Sequence, residues 1–209
     1  MKASKLLKQD HRTVKTLFRK FERTKGVDAR QKLAEEIIAE LSVHAVLEEQ
    51  LVYPMLREGD KRLDGKVLEA LEEHHVAKLT LAELDKMKVE DERFAPKMRV
   101  LREAVEHHVA EEEERLLPRL DSLLSADQDE ALAQALVELR QSAPRHPHPM
   151  APDTPPGNGV AGMLARVLDA GKDLASSVTS RARAAGQRAV GRRVKAIASA
   201  ARRMSRRSA

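Results

Sequence analysis

The chain has 209 residues with no cysteine, no tryptophan, one tyrosine and three phenylalanines, and 34% of its residues are charged. Without a thiol there is no disulfide framework, zinc-cysteine or iron-sulfur site and no cysteine nucleophile; metal chemistry would need nitrogen and oxygen ligands, and a reducing, cytoplasmic compartment is expected. No run of about 18 apolar residues suggests a signal peptide or membrane span, and the formal charge of +5 is unevenly divided, with 25 basic and 30 acidic side chains in residues 1–144 against 13 and 3 in residues 145–209.

Aromatic residues at 2% beside abundant Leu, Ala, Glu, Lys and Arg predict an all-α protein. The first helix carries Leu7, His11, Val14, Phe18 and Phe21 at alternating spacings of four and three, an inward seam that includes a histidine. Turn signals at 26–28 precede a second helix with the seam Ile37, Leu41, His44, Glu48, Leu51 and Met55, where a histidine and a glutamate stand in for apolar residues. After a turn near 58–60, a third helix over 61–88 places His74 or His75 between Leu71 and Leu81. Beyond 89–91 a fourth gives Met98, Leu101, Val105, His108 and Glu112. Long helices with short connections predict an up-down antiparallel four-helix bundle over residues 1–142. Ser142–Gly159 holds six of the nine prolines, so 143–159 reads as a linker. From 160 to 209 helical spacing resumes as a basic amphipathic tail, with Val160, Met163, Leu164, Val167 and Leu168 on one stripe and arginines crowding the later surface.

The bundle is internally duplicated. HAVLEEQLVYP at 44–54 matches HVAEEEERLLP at 108–118 as His, three residues, Glu, five residues, Pro, and DHRTVK at 10–15 matches EHHVAK at 73–78. Each half is therefore a helical hairpin with one histidine on its first helix and His-x-x-x-Glu on its second. Residues four apart share a helix face, so His44 and Glu48 converge, as do His108 and Glu112. Two ionised carboxylates in one apolar core would cost several kcal/mol and repel one another, and a cation removes both penalties. Histidines and carboxylates without sulfur, too many for one structural zinc, suit two six-coordinate ions: non-haem iron first, then manganese or zinc. The candidate metal ligands are His11, His44, Glu48, His74, His108 and Glu112. Glu49 and the rest of the 111–114 acidic run read as solvated, His75 and His107 lie one step off the seam, and Lys15 and Lys78 are expected to point outward.

These residues resemble the hemerythrin family, specifically the HHE cation-binding domain: His on the first helix, HAVLE plus proline on the second, EHH on the third, and HHVAEEE plus proline on the fourth, over about residues 1–140. The resemblance implies a four-helix bundle around an oxo- or hydroxo-bridged di-iron centre, with His11, His44, His74 and His108 terminal and Glu48 and Glu112 bridging. It also implies binding or sensing of O2, peroxide or NO in stress response, or decomposition of peroxide. Oxygen carriers of the family have a further histidine one turn after the third-helix ligand; Lys78 stands there, which favours reactivity or sensing over carriage. The tail offers a different function, a metal-free interaction protein acting on nucleic acid or an anionic membrane surface. With no aromatic residue after Phe94, base stacking is excluded and phosphate contact is favoured.

Overall fold

A computed structural model describes residues 2–150 and 160–170. Helix α1 (Ala3–Arg23) and helix α2 (Val27–Leu47) form the first hairpin, and helix α4 (Asp64–Leu84) and helix α5 (Phe94–Glu111) the second. The order and packing are those of the four-helix bundle expected from the seams. No helix among the described residues is long and apolar enough to cross a membrane.

Both second helices of the hairpins are interrupted at equivalent places. The α2 path passes through a π-helical segment, Glu48–Val52, into the short helix α3 (Tyr53–Gly59); α5 passes through Glu112–Leu116 into α6 (Leu117–Leu123). The cause is the repeated proline. Pro54 and Pro118 lack an N–H, and the ring of each clashes with the carbonyl four residues back, so the helix widens by one residue ahead of it. Tyr53 N–H accordingly donates to the Glu48 carbonyl and Leu117 N–H to that of Glu112, five residues back. Each widened turn begins at a seam glutamate.

The apolar residues bury into two clusters. Leu7, Leu47, Leu51, Leu56, Leu116 and Leu120 belong to one, and Val14, Phe18, Ile37, Leu41, Leu81 and Leu101 to the other. Along each helix the seam histidines fall between the two clusters: His11 between Leu7 and Val14, His44 between Leu41 and Leu47. A polar layer thus crosses the bundle with an apolar core on either side.

One helix lies beyond the four expected. Helix α7 (Ala126–Ser142) starts at a capping box, in which Ser125 accepts from Gln128 N–H and the Gln128 side chain accepts from Ser125 N–H, and it packs on α1 and α2. Leu132, Ala133, Leu136 and Leu139 bury against the first cluster. Residues 160–170 are helical too: Val167 is fully buried against the same cluster, and Arg166 pairs with Glu138 of α7 at 2.8 Å. The apolar stripe at the start of the tail therefore seats on the bundle. The arginine-rich residues from Arg181 onward lie outside the described residues.

Candidate metal centre

All six candidate ligands meet in the polar layer. His11, His44, His74 and His108 are each 5–7% exposed, and Glu48 and Glu112 are 0% and 1% exposed. Their donor atoms fall into two groups, each mutually within 4.8 Å: His11, His44, Glu48 and Glu112 in one, Glu48, His74 and His108 in the other. Glu48 belongs to both. The histidines approach in pairs through their inner nitrogens, His11 Nε2 to His44 Nε2 at 3.1 Å and His74 Nε2 to His108 Nε2 at 3.0 Å. The pairs join the two helices of one hairpin, as the duplicated spacing requires.

The outer nitrogens are held by four carboxylates that obey the same duplication. His11 Nδ1 donates to Glu113 Oε1 at 2.9 Å, and its counterpart His74 to Glu49 Oε1 at 3.0 Å. His44 Nδ1 donates to Asp10 Oδ2 at 3.4 Å, and its counterpart His108 to Glu73 Oε2 at 2.7 Å. A proton kept on Nδ1 leaves the Nε2 lone pair facing the centre, the tautomer a metal ligand needs. Sequence reasoning passed over these four acids, although Asp10 and Glu73 directly precede seam histidines and Glu49 and Glu113 directly follow seam glutamates. It assigned Glu49 and Glu113 to the solvated face; Glu49 is buried and Glu113 is partly covered. Of the doubtful histidines, His107 is exposed, 3.9 Å from Glu73, and His75 is half-buried and joins neither group.

Three features break the symmetry. Tyr53, whose counterpart is Leu117, is buried; its hydroxyl donates to Glu112 Oε1 at 2.9 Å and lies 3.3 Å from His74 Nε2. Lys78 is turned inward, with Nζ 3.0 and 3.1 Å from the two carboxylate oxygens of Glu49, whereas its counterpart Lys15 is exposed as expected. Arg140 of α7 pairs with Asp10, so the helix absent from the four-helix expectation braces the acid that orients His44.

The charges are consistent with a cation-binding centre. Burial opposes the imidazolium of His44, but Glu48, Asp10 and Glu112 outweigh it and hold the group well above its ordinary range; His108 is raised in the same way, by Glu73, Glu112 and Glu48. Burial pushes the Glu112 carboxyl up, but the contact with His11 and the charges of His108 and His44 bring it below the usual carboxylate range. Burial and the charges of Glu112 and Glu48 push the Tyr53 phenol well above its ordinary value, so it stays a donor. Both oxygens of Glu48 and Oε2 of Glu112 are buried without a hydrogen-bond donor. Such orphaned acceptors are costly unless an ion meets them, and four inward imidazole nitrogens beside them complete a nitrogen and oxygen donor set that fits one or two divalent cations.

A duplicated helical bundle with a buried histidine-carboxylate cluster defines a cation-binding four-helix protein. Residues 2–120 match the model of the hemerythrin HHE cation binding domain, and the chain belongs to that family. It is 29% identical to an uncharacterized hemerythrin-like protein of Schizosaccharomyces pombe over 170 residues, 79% of this chain and 82% of the relative. It is 27% identical over 137 residues to a DNA nickase of Nostoc, covering 64% of this chain and 37% of that protein. In fold it is similar to the crystal structure of a hemerythrin HHE cation binding domain-containing protein from Mycobacterium kansasii, with a TM-score of 0.59 and 23% identity over 68% of this chain and 89% of that one.

Proposed function

We propose that the centre holds two iron ions and that the protein binds or senses dioxygen, peroxide or nitric oxide in a response to stress. The observation that carries this reading is the pair of donor groups sharing Glu48, with orphaned carboxylate oxygens at their junction. His11 and His44 would hold one ion, His74 and His108 the other, with Glu48 and Glu112 between them. Imidazole and carboxylate without sulfur favour iron, with manganese or zinc second. Iron bound there would supply redox exchange and open coordination positions. The chain's own residues keep the four Nδ1 protons in place, flank the polar layer with an apolar cluster on either side, and aim the Tyr53 hydroxyl at Glu112. Lys78 paired to Glu49, in place of a fifth histidine, supports reactivity or sensing over carriage.

The test is metal content per chain by mass spectrometry on protein purified without a metal-binding tag. Two iron atoms per chain, reduced in His108→Ala, are expected from the two donor groups; no metal after anaerobic reconstitution with ferrous ion refutes the reading. Catalase-like decomposition of peroxide is the enzymatic alternative. It requires oxygen evolution from peroxide that disappears in His44→Ala and Glu112→Ala.

A second reading concerns the tail, whose residues 171–209 carry 11 basic side chains and one acidic. That balance supports contact with nucleic-acid phosphates without sequence reading, and the Nostoc relative is a DNA nickase. Duplex DNA binding that weakens with salt and with Arg202, Arg203, Arg206 and Arg207 changed to Gln is expected; binding unaffected by these changes refutes it.

A further inference from the structure

A cavity of about 580 Å³ opens between α4 and α5 and runs inward to His44, His74 and His108. Its inner wall is aliphatic, formed by Val14, Leu41, Ala77, Leu81, Val105 and Val109. Val76, 58% exposed, and the exposed Ala104 stand among its outer lining residues. A water occupies about 30 Å³ of liquid, so the space far exceeds what a diatomic gas or hydrogen peroxide needs. It falls instead in the range of sites for small organic molecules, about 300–1,000 Å³.

Two further observations narrow the occupant. The cavity borders both histidines of the smaller donor group, His74 and His108, but only His44 of the larger group, which has four members to the other's three. A molecule lying in it therefore ends beside His74 and His108. Away from the histidines the lining charges disfavour an anion: Glu69, Glu72 and Glu73 are carboxylates, and the wall ammonium, Lys78, is matched by Glu49 at 3.0 Å.

We propose that this cavity binds an uncharged aliphatic molecule with one terminal hydroxyl or hydroperoxyl group, its chain along the aliphatic wall and its polar end toward His74 and His108. This deepens the metal-centre reading and rests on it for what the polar end meets; the occupancy of the cavity is tested separately.

The probes are 1-octanol and octanoate, titrated calorimetrically into the full chain at neutral pH, with metal content measured on the same samples. One saturable octanol site is expected, weakened about tenfold or more by Ala104→Trp at the mouth and by Ala77→Trp deeper in, with octanoate weaker by at least about tenfold because Glu69, Glu72 and Glu73 line the cavity and oppose its carboxylate. Val137→Trp, on the exposed face of α7 away from the cavity, serves as control and is expected to leave binding unchanged. Thermal melts identify a variant that fails to fold, and Ala104, being exposed, accepts tryptophan without repacking the core. Absence of saturable octanol binding, binding untouched by both cavity variants, or octanoate binding as tightly as octanol each overturns the proposal. Octanol bound without metal leaves the cavity site standing and counts against the metal centre; two irons without octanol binding does the reverse.

Discussion

Replacing Lys78 with methionine breaks a buried charge pair and has an internal control. The side chains of Lys78 and Glu49 are 7% and 5% exposed, with Nζ 3.0 Å from Oε1, and Glu49 also accepts from His74 Nδ1. Methionine keeps much of the lysine's length and removes the ammonium, leaving the carboxylate buried with only the imidazole. Breaking a buried ion pair from one side costs about 3–5 kcal/mol. With a urea slope of about 2 kcal/mol/M, the unfolding midpoint falls by roughly 1.5–2.5 M. The duplicate position provides the control: Lys15 is exposed, and Lys15→Met is expected to stay within about 0.5 kcal/mol. The double variant Lys78→Met with Glu49→Gln recovers most of the loss, because the amide oxygen still accepts from His74 and no charge is stranded. Urea unfolding at fixed metal loading measures all three, since a bound ion adds to apparent stability. A loss under about 1 kcal/mol in Lys78→Met, the scale of an exposed pair, or one equal to that in Lys15→Met, refutes the reasoning.

Tyr53→Phe strips Glu112 Oε1 of its donor beside an Oε2 that already has none; metal-free protein is expected to lose about 1–3 kcal/mol in thermal unfolding, and a neutral result contradicts the geometry. Glu73→Gln leaves His108 Nδ1, now 2.7 Å from Glu73 Oε2, with a neutral partner, and chelator competition should show metal affinity about 10–100-fold weaker; unchanged affinity means the outer acids do not orient the imidazoles. Asp60 is held well below the usual carboxylate range by hydrogen bonds from Arg62 and Arg119. Its folded value is the depressed one, so its contribution is present above the unfolded value of 3.8 and is lost as pH falls through the folded value. Asp60→Asn should therefore be less stable than the parent near neutrality, with the gap closing as unfolding is followed to lower pH; a gap that widens on acidification refutes the assignment.

Much of the centre was legible in one dimension because helices convert spacing into direction. Seam spacing put His11, His44 and His108 inward, and the four-residue offset set Glu48 and Glu112 on the same faces as His44 and His108. The duplication resolved His74 from His75 by register alone. The outer acids were less legible. Glu49 and Glu113 sit one residue past the seam, where a helical wheel assigns solvent, but each reaches a histidine of the opposite hairpin. Helix α7 escaped for another reason: its apolar face covers the bundle's side, so its residues enter no seam among the four.

By itself the sequence determined the helical class, the duplicated hairpins and the six inward histidine and glutamate positions, since these depend on local periodicity and its repetition. Tertiary structure decided how the two halves differ. Whether Lys78 or Lys15 turns inward, whether Tyr53 or Leu117 faces the glutamates, and which acid Arg140 braces depend on contacts between helices far apart in the chain. Burial and charge pairing set those contacts, and they act through distance in space, which a repeat in sequence does not encode.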